Sequence, residues 1–301
     1  MRTDPDTGGS HEYRKITRTP ADHTETGDAR MNRQERYMTI LDQLAGHARE
    51  RVREAKLKIS EEDMKAKAIA LHEGGETEDF RFEKALRKPG ISFICECKKA
   101  SPSKGLIAEN FPYTEIAKAY EEAGADCISV LTEPKWFLGS DRYLEEIAGT
   151  VSIPCLRKDF TVDPYMIYEA KVLGASAVLL ICSILTEEEL KAFHAIADSL
   201  GLSALVETHD EKEVEMALRA GARILGVNNR NLKDFTVDTE NSRRLRELVP
   251  DGVLFVSESG VSSAEDVRLL RESGVDAVLV REALMRAEDK KKCLAELRGQ
   301  F

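Results

Sequence analysis

After Pro89-Gly90 the chain alternates short apolar, β-rich runs with helical stretches, the pattern that predicts a parallel α/β sheet. Four segments repeat one arrangement, a helix end, a glycine and then a strand: EEAGADCISVL, KVLGASAVLLI, LRAGARILGV and RESGVDAVLV. Their glycines, Gly124, Gly174, Gly221 and Gly274, stand 50, 47 and 53 residues apart. Each suits the left-handed position that closes a helix, and each interval holds two βα units, so the four quarters make eight strands. The remaining strands are expected to begin near Ile91, Val151, Leu202 and Gly252. The expected architecture is a (β/α)8 TIM barrel with an N-terminal helical extension. An open, doubly wound sheet is the structural rival; it usually carries a glycine-rich turn after its first strand, whereas SPSKG stands there and no GxGxxG does.

Ahead of the barrel, from Gln34 onward, Ile40, Leu41, Leu44, Ala48 and Val52 fall at helical spacing, and a second helical stretch is expected over Glu61–Leu71. These helices, at about 34–72, belong with the barrel in one domain of residues 31–301. Residues 1–30 carry almost no large apolar side chains and are expected to be a disordered leader, or the product of a start codon assigned upstream of Met31. This stretch lacks the apolar core of a secretory signal, and Asp4, Asp6, Glu12, Asp22, Glu25 and Asp28 count against an organellar transit peptide.

A length of 301 residues suits one barrel with an extension, not two domains of that size. No uninterrupted apolar run is long enough to cross a bilayer, so no membrane role is expected. A net charge of −10 argues against a nucleic-acid binder and means that an anionic substrate would need local positive charge. Cys95, Cys97, Cys127, Cys155, Cys182 and Cys293 include no CxxC pair. Five of them fall inside predicted strands, where a free cysteine behaves as a small hydrophobe; reduced thiols in a cytoplasm fit best. Histidines 11, 23, 47, 72, 194 and 209 show neither HxxxH nor HExxH spacing, so no metal is expected.

Candidate chemistry gathers at the strand ends. Lys98, Lys158 and Glu207 each close an apolar run, Ile91–Lys98, Val151–Lys158 and Leu202–Glu207. In a (β/α)8 barrel the strand C-termini form the catalytic rim. Glu96 and Lys98 are two apart, so both point into the barrel mouth while Cys95 and Cys97 face the helices. An internal ion pair would explain Glu96 and Lys98 alone. Strand three, however, adds Lys158-Asp159-Phe160, strand five Glu207, strand six Asn228, Asn229 and Arg230, and strand seven Glu258, Ser259 and Gly260. Burying so many charges without a ligand costs several kcal/mol per unpaired ion, so a site is the better account.

These residues also fit a known family. ECKKASPSKG, SVLTE, LRKDF, LVETHD, GVNNRNL and VSESG, in that order and near one per strand, closely resemble indole-3-glycerol-phosphate synthase of tryptophan biosynthesis, from about residue 35 to the C-terminus. No second catalytic domain is appended, so the chain resembles the monofunctional form. The resemblance implies ring closure of 1-(2-carboxyphenylamino)-1-deoxyribulose 5-phosphate to indole-3-glycerol phosphate, with loss of carbon dioxide and water and without a cofactor. Lys158 matches the lysine that protonates the ketone, and Lys98 the one that binds the anthranilate carboxylate and is a second candidate donor in the dehydration. Glu207 matches the base, with Glu96 assisting. Asn228 and Glu258 match groups that orient substrate hydroxyls, and Arg230 ties that network together; mutual hydrogen bonding is the plainer reading of all three. Phe137, Phe160, Leu179 and Leu232 match apolar walls around the anthranilate ring.

Barrels of this type grip phosphate with backbone N–H groups after strands seven and eight. Ser259 and Gly260 fit that pattern, and Ser101 matches a further contact. After strand eight the chain departs from its relatives, since LVREALM places Arg281 where the family usually has glycine. The side chain either turns to solvent without effect or meets the anion; weakened but retained phosphate binding is the expectation. SPSKG is a run of turn formers that the resemblance makes a mobile lid, with Lys104 facing solvent. Two rival functions stand beside the synthase: a lyase or aldolase forming a Schiff base through Lys98 or Lys158, and a catalytically idle sugar-phosphate-binding barrel. The exterior fits monomer and dimer alike, and a monomer is the working expectation.

Overall fold

The computed structural model describes residues 39–75, 77–230 and 236–299. The leader expected at residues 1–30, the helix onset expected at Gln34, and the wall residue Leu232 lie outside the described residues. Eight parallel strands close into a barrel: β1 (Ser92–Cys97), β2 (Cys127–Leu131), β3 (Cys155–Lys158), β4 (Ala177–Ile181), β5 (Ser203–Thr208), β6 (Ile224–Asn228), β7 (Leu254–Glu258) and β8 (Ala277–Val280). Each pairs with the next along the chain, and β8 returns to β1. The likeness to an open sheet ends with that closure.

The repeat glycines do what their spacing predicts. Gly124, Gly174, Gly221 and Gly274 have φ of 91°, 82°, 85° and 79°, each just beyond a helix end, where a side chain would strain the backbone. β3 and β7 start later than expected, at Cys155 and Leu254 rather than Val151 and Gly252. Pro154 stands at the entrance to β3, and a proline there supplies no N–H to the ladder. Lys98 lies one residue past the end of β1. Four cysteines occupy strands, not five: Cys182 opens the 3-10 turn after β4.

Side chains alternate between two cores, as the pleat demands. Ile94, Cys127, Leu156, Ala177, Leu205, Ile224, Val256 and Leu279 fill the barrel interior. Phe93, Cys95, Cys97, Ile128, Val130, Val206 and Phe255 face the surrounding helices. The interior is plugged from below by a short helix the sequence pattern did not reveal, Arg81–Leu86, whose Phe82, Ala85 and Leu86 join the inner cluster.

Two longer helices precede the plug: α1 (Ile40–Lys58) and α2 (Glu61–Glu73). Thr39 and Asp42 form a reciprocal capping box that starts α1, and the Ser60 hydroxyl caps α2. Leu44, Ala45, Ala48 and Val52 give α1 its buried stripe. Carboxylates at the C-terminal ends of the strands, two of them buried, then fasten α1 to the barrel. Arg51 meets Asp159 through two bonds of 2.6 and 3.1 Å, Lys56 meets Asp163 at 2.9 Å, and His47 Nδ1 lies 3.1 Å from Glu133 Oε1.

Glu133 has a second task. Fully buried after β2, it accepts backbone N–H groups from Lys135, Trp136 and Phe137 at 2.9, 2.7 and 3.0 Å. Removing it strands three donors. Glu133→Ala is expected to lower stability by about 2–4 kcal/mol, since each buried unsatisfied group costs about 1–3 kcal/mol and partial rehydration recovers some of it. Urea denaturation checks this; a loss under about 0.5 kcal/mol, the range of a neutral surface substitution, would show that the loop holds without it.

Candidate active site

Strand register sets the site. Leu131 pairs with Lys158, Ile181 with Glu207, Glu207 with Gly226, and Asn228 with Glu258, so charged side chains from separate strands reach one level of the barrel mouth. Lys158 is central. Its Nζ lies 2.8 Å from Glu207 Oε2 and 3.0 Å from Glu258 Oε2, with all three side chains almost wholly buried. Burial alone would discharge this lysine, yet the two carboxylates outweigh it and hold the ammonium well above the usual lysine range.

Burial would likewise raise the Glu207 carboxyl, but Lys158 and then His209 hold it well below the usual carboxylate range. Glu258 moves the other way: burial and the adjoining Glu207 charge raise it against the pull of Lys158. Space for Glu258 depends on Gly226, where an added Cβ would stand 2.5 Å from Oε1 of that carboxylate. Two neighbouring acids are thus driven apart in proton affinity, an arrangement typical of proton-transfer sites.

Lys98 is held less firmly. Its Nζ is 3.4 Å from Glu96 Oε1 and 5.2 Å from the centroid of the Phe137 ring. Burial pulls its pKa down to about 8; Glu96 opposes the shift, and Arg281 and Lys158 add to it. Glu96 also accepts from the Ser129 hydroxyl at 3.3 Å. Asn228 links the strands: its Nδ2 donates to Glu207 Oε1 at 3.1 Å, while its Oδ1 accepts the Ser259 hydroxyl at 2.9 Å and the Arg230 N–H at 3.1 Å. Arg230 therefore joins this network through its backbone, and its side chain lines the cavity.

Phe137 and Phe160, with ring centroids 6.1 Å apart, form an apolar wall with Leu179. Sequence reasoning missed that Ile40, Leu41 and Leu44 of α1 line the same cavity. Their close spacing at the start of the helix was the available signal. It also missed His209, which stands two residues beyond Glu207 with Nε2 3.5 Å from Glu207 Oε1.

A second cleft adjoins the first through Lys98, Arg230 and Arg281. Ser101, Ser259 and Gly260, expected to hold phosphate, all line it with Arg281. Ser259 and Gly260 have φ of 69° and 90°, consecutive left-handed residues at the exit of β7. For a serine that conformation carries strain, of the kind that gathers at ligand sites.

The Arg281 side chain does not turn to solvent. Its Nε lies 3.5 Å from Glu96 Oε1 and its guanidinium 3.4 Å from Glu258 Oε2, so two site carboxylates draw it inward. The φ there is −116°, outside the left-handed region, so no positive φ calls for a glycine. In the SPSKG segment, Ala100–Ser101 and Gly105–Leu106 pair as a small antiparallel ribbon. Lys104 is half exposed and 3.9 Å from Glu282, joining the loops after β1 and β8. Among the described residues, no group of three or more His, Cys, Asp and Glu side chains could hold a metal ion.

Comparison with known proteins agrees with this geometry. The family model described as indole-3-glycerol phosphate synthase matches residues 41–297. The protein of that name from Ruminiclostridium cellulolyticum is 57% identical over 260 residues, 86% of this chain and 99% of that protein. Its namesake from Lachnoclostridium phytofermentans is 51% identical over 268 residues, again 86% and 99%. Among solved structures, thiamine phosphate pyrophosphorylase from Pyrococcus furiosus matches with a TM-score of 0.52 at 21% identity, over 69% of this chain and 94% of that one. KGPDC from Streptococcus mutans matches at 0.54 and 15%, over 70% and 96%. Those two likenesses concern the barrel alone. With a family model spanning the described barrel and relatives more than half identical, the chain belongs to the indole-3-glycerol phosphate synthase family.

Proposed function

We propose that this protein closes the ring of 1-(2-carboxyphenylamino)-1-deoxyribulose 5-phosphate to give indole-3-glycerol phosphate, carbon dioxide and water. The observation that carries the reading is Lys158 held as an ammonium between Glu207 and Glu258 beside an apolar slot. In this reading Lys158 protonates the ketone oxygen as the aromatic carbon attacks. Lys98, with Phe137 beneath its ammonium, holds the anthranilate carboxylate before it leaves. Glu207 removes the proton in the dehydration, Glu96 assists, and Asn228 and Glu258 orient the substrate hydroxyls. Arg230 closes the polar wall, and Phe137, Phe160, Leu179 and Leu232 flank the ring.

For the phosphate, Ser101, Ser259 and Gly260 supply the cleft and Arg281 crowds it while adding charge. Against a Schiff base at Lys158 stands the pair of carboxylates that keep it charged, since only a neutral amine attacks a carbonyl; at Lys98, whose proton affinity is lowered, borohydride trapping with a carbonyl substrate separates the two readings. Against an idle barrel stands the complete set of paired, buried ionisable groups. We further propose a cytoplasmic enzyme working as a monomer on a small anionic sugar phosphate, without nucleic acid. The six free cysteines support a reducing compartment. Among the described residues no helix is long and apolar enough to cross a membrane.

Indole fluorescence on mixing the protein with the carboxyphenylamino-deoxyribulose phosphate tests the function. Turnover is expected in the parent, with losses of about 10²–10⁴-fold in Lys158→Ala and Glu207→Gln, the scale of a positioned acid or base. A folded parent without signal would sink the reading. Lys98 predicts the pH profile. It binds the carboxylate as an ammonium, so kcat/KM is expected to hold below pH about 8 and fall as pH rises through that value. A profile flat to pH 9.5 would count against its role. Arg281→Gly is expected to lower KM about tenfold, equal to about 1.4 kcal/mol, by reopening the phosphate cleft. The same change removes a like charge and should move the Lys98 break upward. An unchanged KM would show that Arg281 does not touch phosphate binding.

A further inference from the structure

The proposed reaction consumes a proton. The substrate's carboxylate departs as neutral carbon dioxide and its ketone oxygen as water, so one proton per turnover must come from solvent. Two protons are given out, one to the ketone oxygen and one to the departing hydroxyl, and Glu207 takes only one back. Ring closure leaves Lys158 neutral, while Glu207 must remain ionised to act as base afterwards. Glu207 can therefore pass a proton to Lys158 but cannot be its source.

His209 stands behind Glu207 in the right place. Its Nε2 is buried, has no hydrogen-bond partner among the described residues, and lies 3.5 Å from Glu207 Oε1. A fully buried ring nitrogen without a partner is costly and rare, which marks it as poised for a contact made during the cycle. The opposite nitrogen, Nδ1, lies 3.0 Å from Glu213 Oε2 and 3.2 Å from the Ser183 hydroxyl. Ser183 is exposed and donates to Glu213 Oε1 at 2.6 Å. Glu213 sits in the first turn of the helix Glu211–Arg219, anchored by the His209 N–H at 2.8 Å. The imidazole thus spans from a solvent-facing hydroxyl and carboxylate to the buried base.

We propose that His209 and Glu213 form the proton entry path that recharges Lys158 through Glu207. The Nε2–H bond breaks and a proton joins Glu207 Oε1. The carboxyl, now neutral, turns about its Cγ–Cδ bond and gives that same proton to the neutral Lys158 amine on its Oε2 side, 2.8 Å away, so Glu207 is ionised again. The imidazole, left neutral with its Nδ1 proton, turns about Cβ–Cγ, takes a proton on the bare Nε2 from water at Ser183 and Glu213, and turns back. No oxidant or reductant enters, and the imidazole returns to its starting state. Burial opposes a charged His209, but the Glu213 hydrogen bond and the Glu207, Glu213 and Glu258 carboxylates raise its proton affinity above the ordinary histidine value. His209 acts through Glu207, as a positioning and relay residue.

This inference rests on the proposed ring closure, and one set of assays separates the two. The parent and His209→Ala are compared on the carboxyphenylamino-deoxyribulose phosphate, with and without added imidazole. In the variant, kcat is expected to fall roughly a hundredfold, the low end for a proton-transfer group, with KM little changed. Added imidazole should restore kcat saturably in the variant and leave the parent unaffected. Should His209→Ala not fold, Glu213→Gln cuts the same path at its outer end and should lose kcat, with a larger solvent deuterium effect than the parent. An active parent whose folded variant keeps its kcat, or loses kcat without rescue by imidazole, overturns the relay alone. A Glu213→Gln variant with parental kcat and isotope effect does the same. A silent parent overturns both readings.

Discussion

The ammonium of Lys158, fixed between Glu207 and Glu258, is the contact on which the site turns. Each of these charges alone would be costly at the barrel mouth, and breaking a buried pair leaves an uncompensated ion. Their neighbours extend the balance. Lys98 and Arg281 face Glu96, and Arg281 also faces Glu258, so three cations meet three carboxylates in this cluster, with Arg230 on the same cavity wall. Within a cluster so nearly balanced an anion is not held by excess charge. It holds one when a cation is loosely bound, and Lys98 meets that condition: its carboxylate contact is long, an aromatic face lies close, and burial pulls its proton affinity down.

The N-terminal extension belongs to the same electrostatic scheme. Arg51 of α1 neutralises Asp159, the residue next to Lys158, and the Thr132 hydroxyl also donates to that carboxylate. His47 of α1 meets Glu133, which gathers the backbone leading to Phe137. From the start of α1, Ile40, Leu41 and Leu44 line the cavity. One helix thus covers the slot and fixes both the strand end carrying Lys158 and the loop carrying an aromatic wall. Loss of these ion pairs would loosen the chemistry before it unfolded the barrel, because the barrel has its own closed ladder and interior core.

Much of this was legible in the sequence because it depends on local rules. A helix closed by a left-handed glycine leaves the same trace at every quarter of the barrel. Two-residue alternation sends Glu96 and Lys98 one way and Cys95 and Cys97 the other. Other features were hidden because they depend on partners far along the chain. The six-residue plug Arg81–Leu86 is too short to show a period, and its fit is decided by eight strands that follow it. The late start of β3 reflects Pro154 at its entrance, whereas the apolar pattern alone extends back to Val151.

Arg281 shows most directly where such reading stops. Its identity is plain in the sequence and marks a departure from the family pattern, but its direction is set by Glu96 and Glu258 from two other strands. A guanidinium near solvent at the cleft proposed for phosphate would be free to add to anion binding. Drawn inward, it is already engaged with two acids of the catalytic cavity, and any gain from phosphate must be weighed against loosening them. The same side chain also helps depress Lys98. One substitution after β8 therefore ties the cleft proposed to hold phosphate to the protonation state of the lysine proposed to hold the departing carboxylate, two functions that a glycine at this position would leave independent.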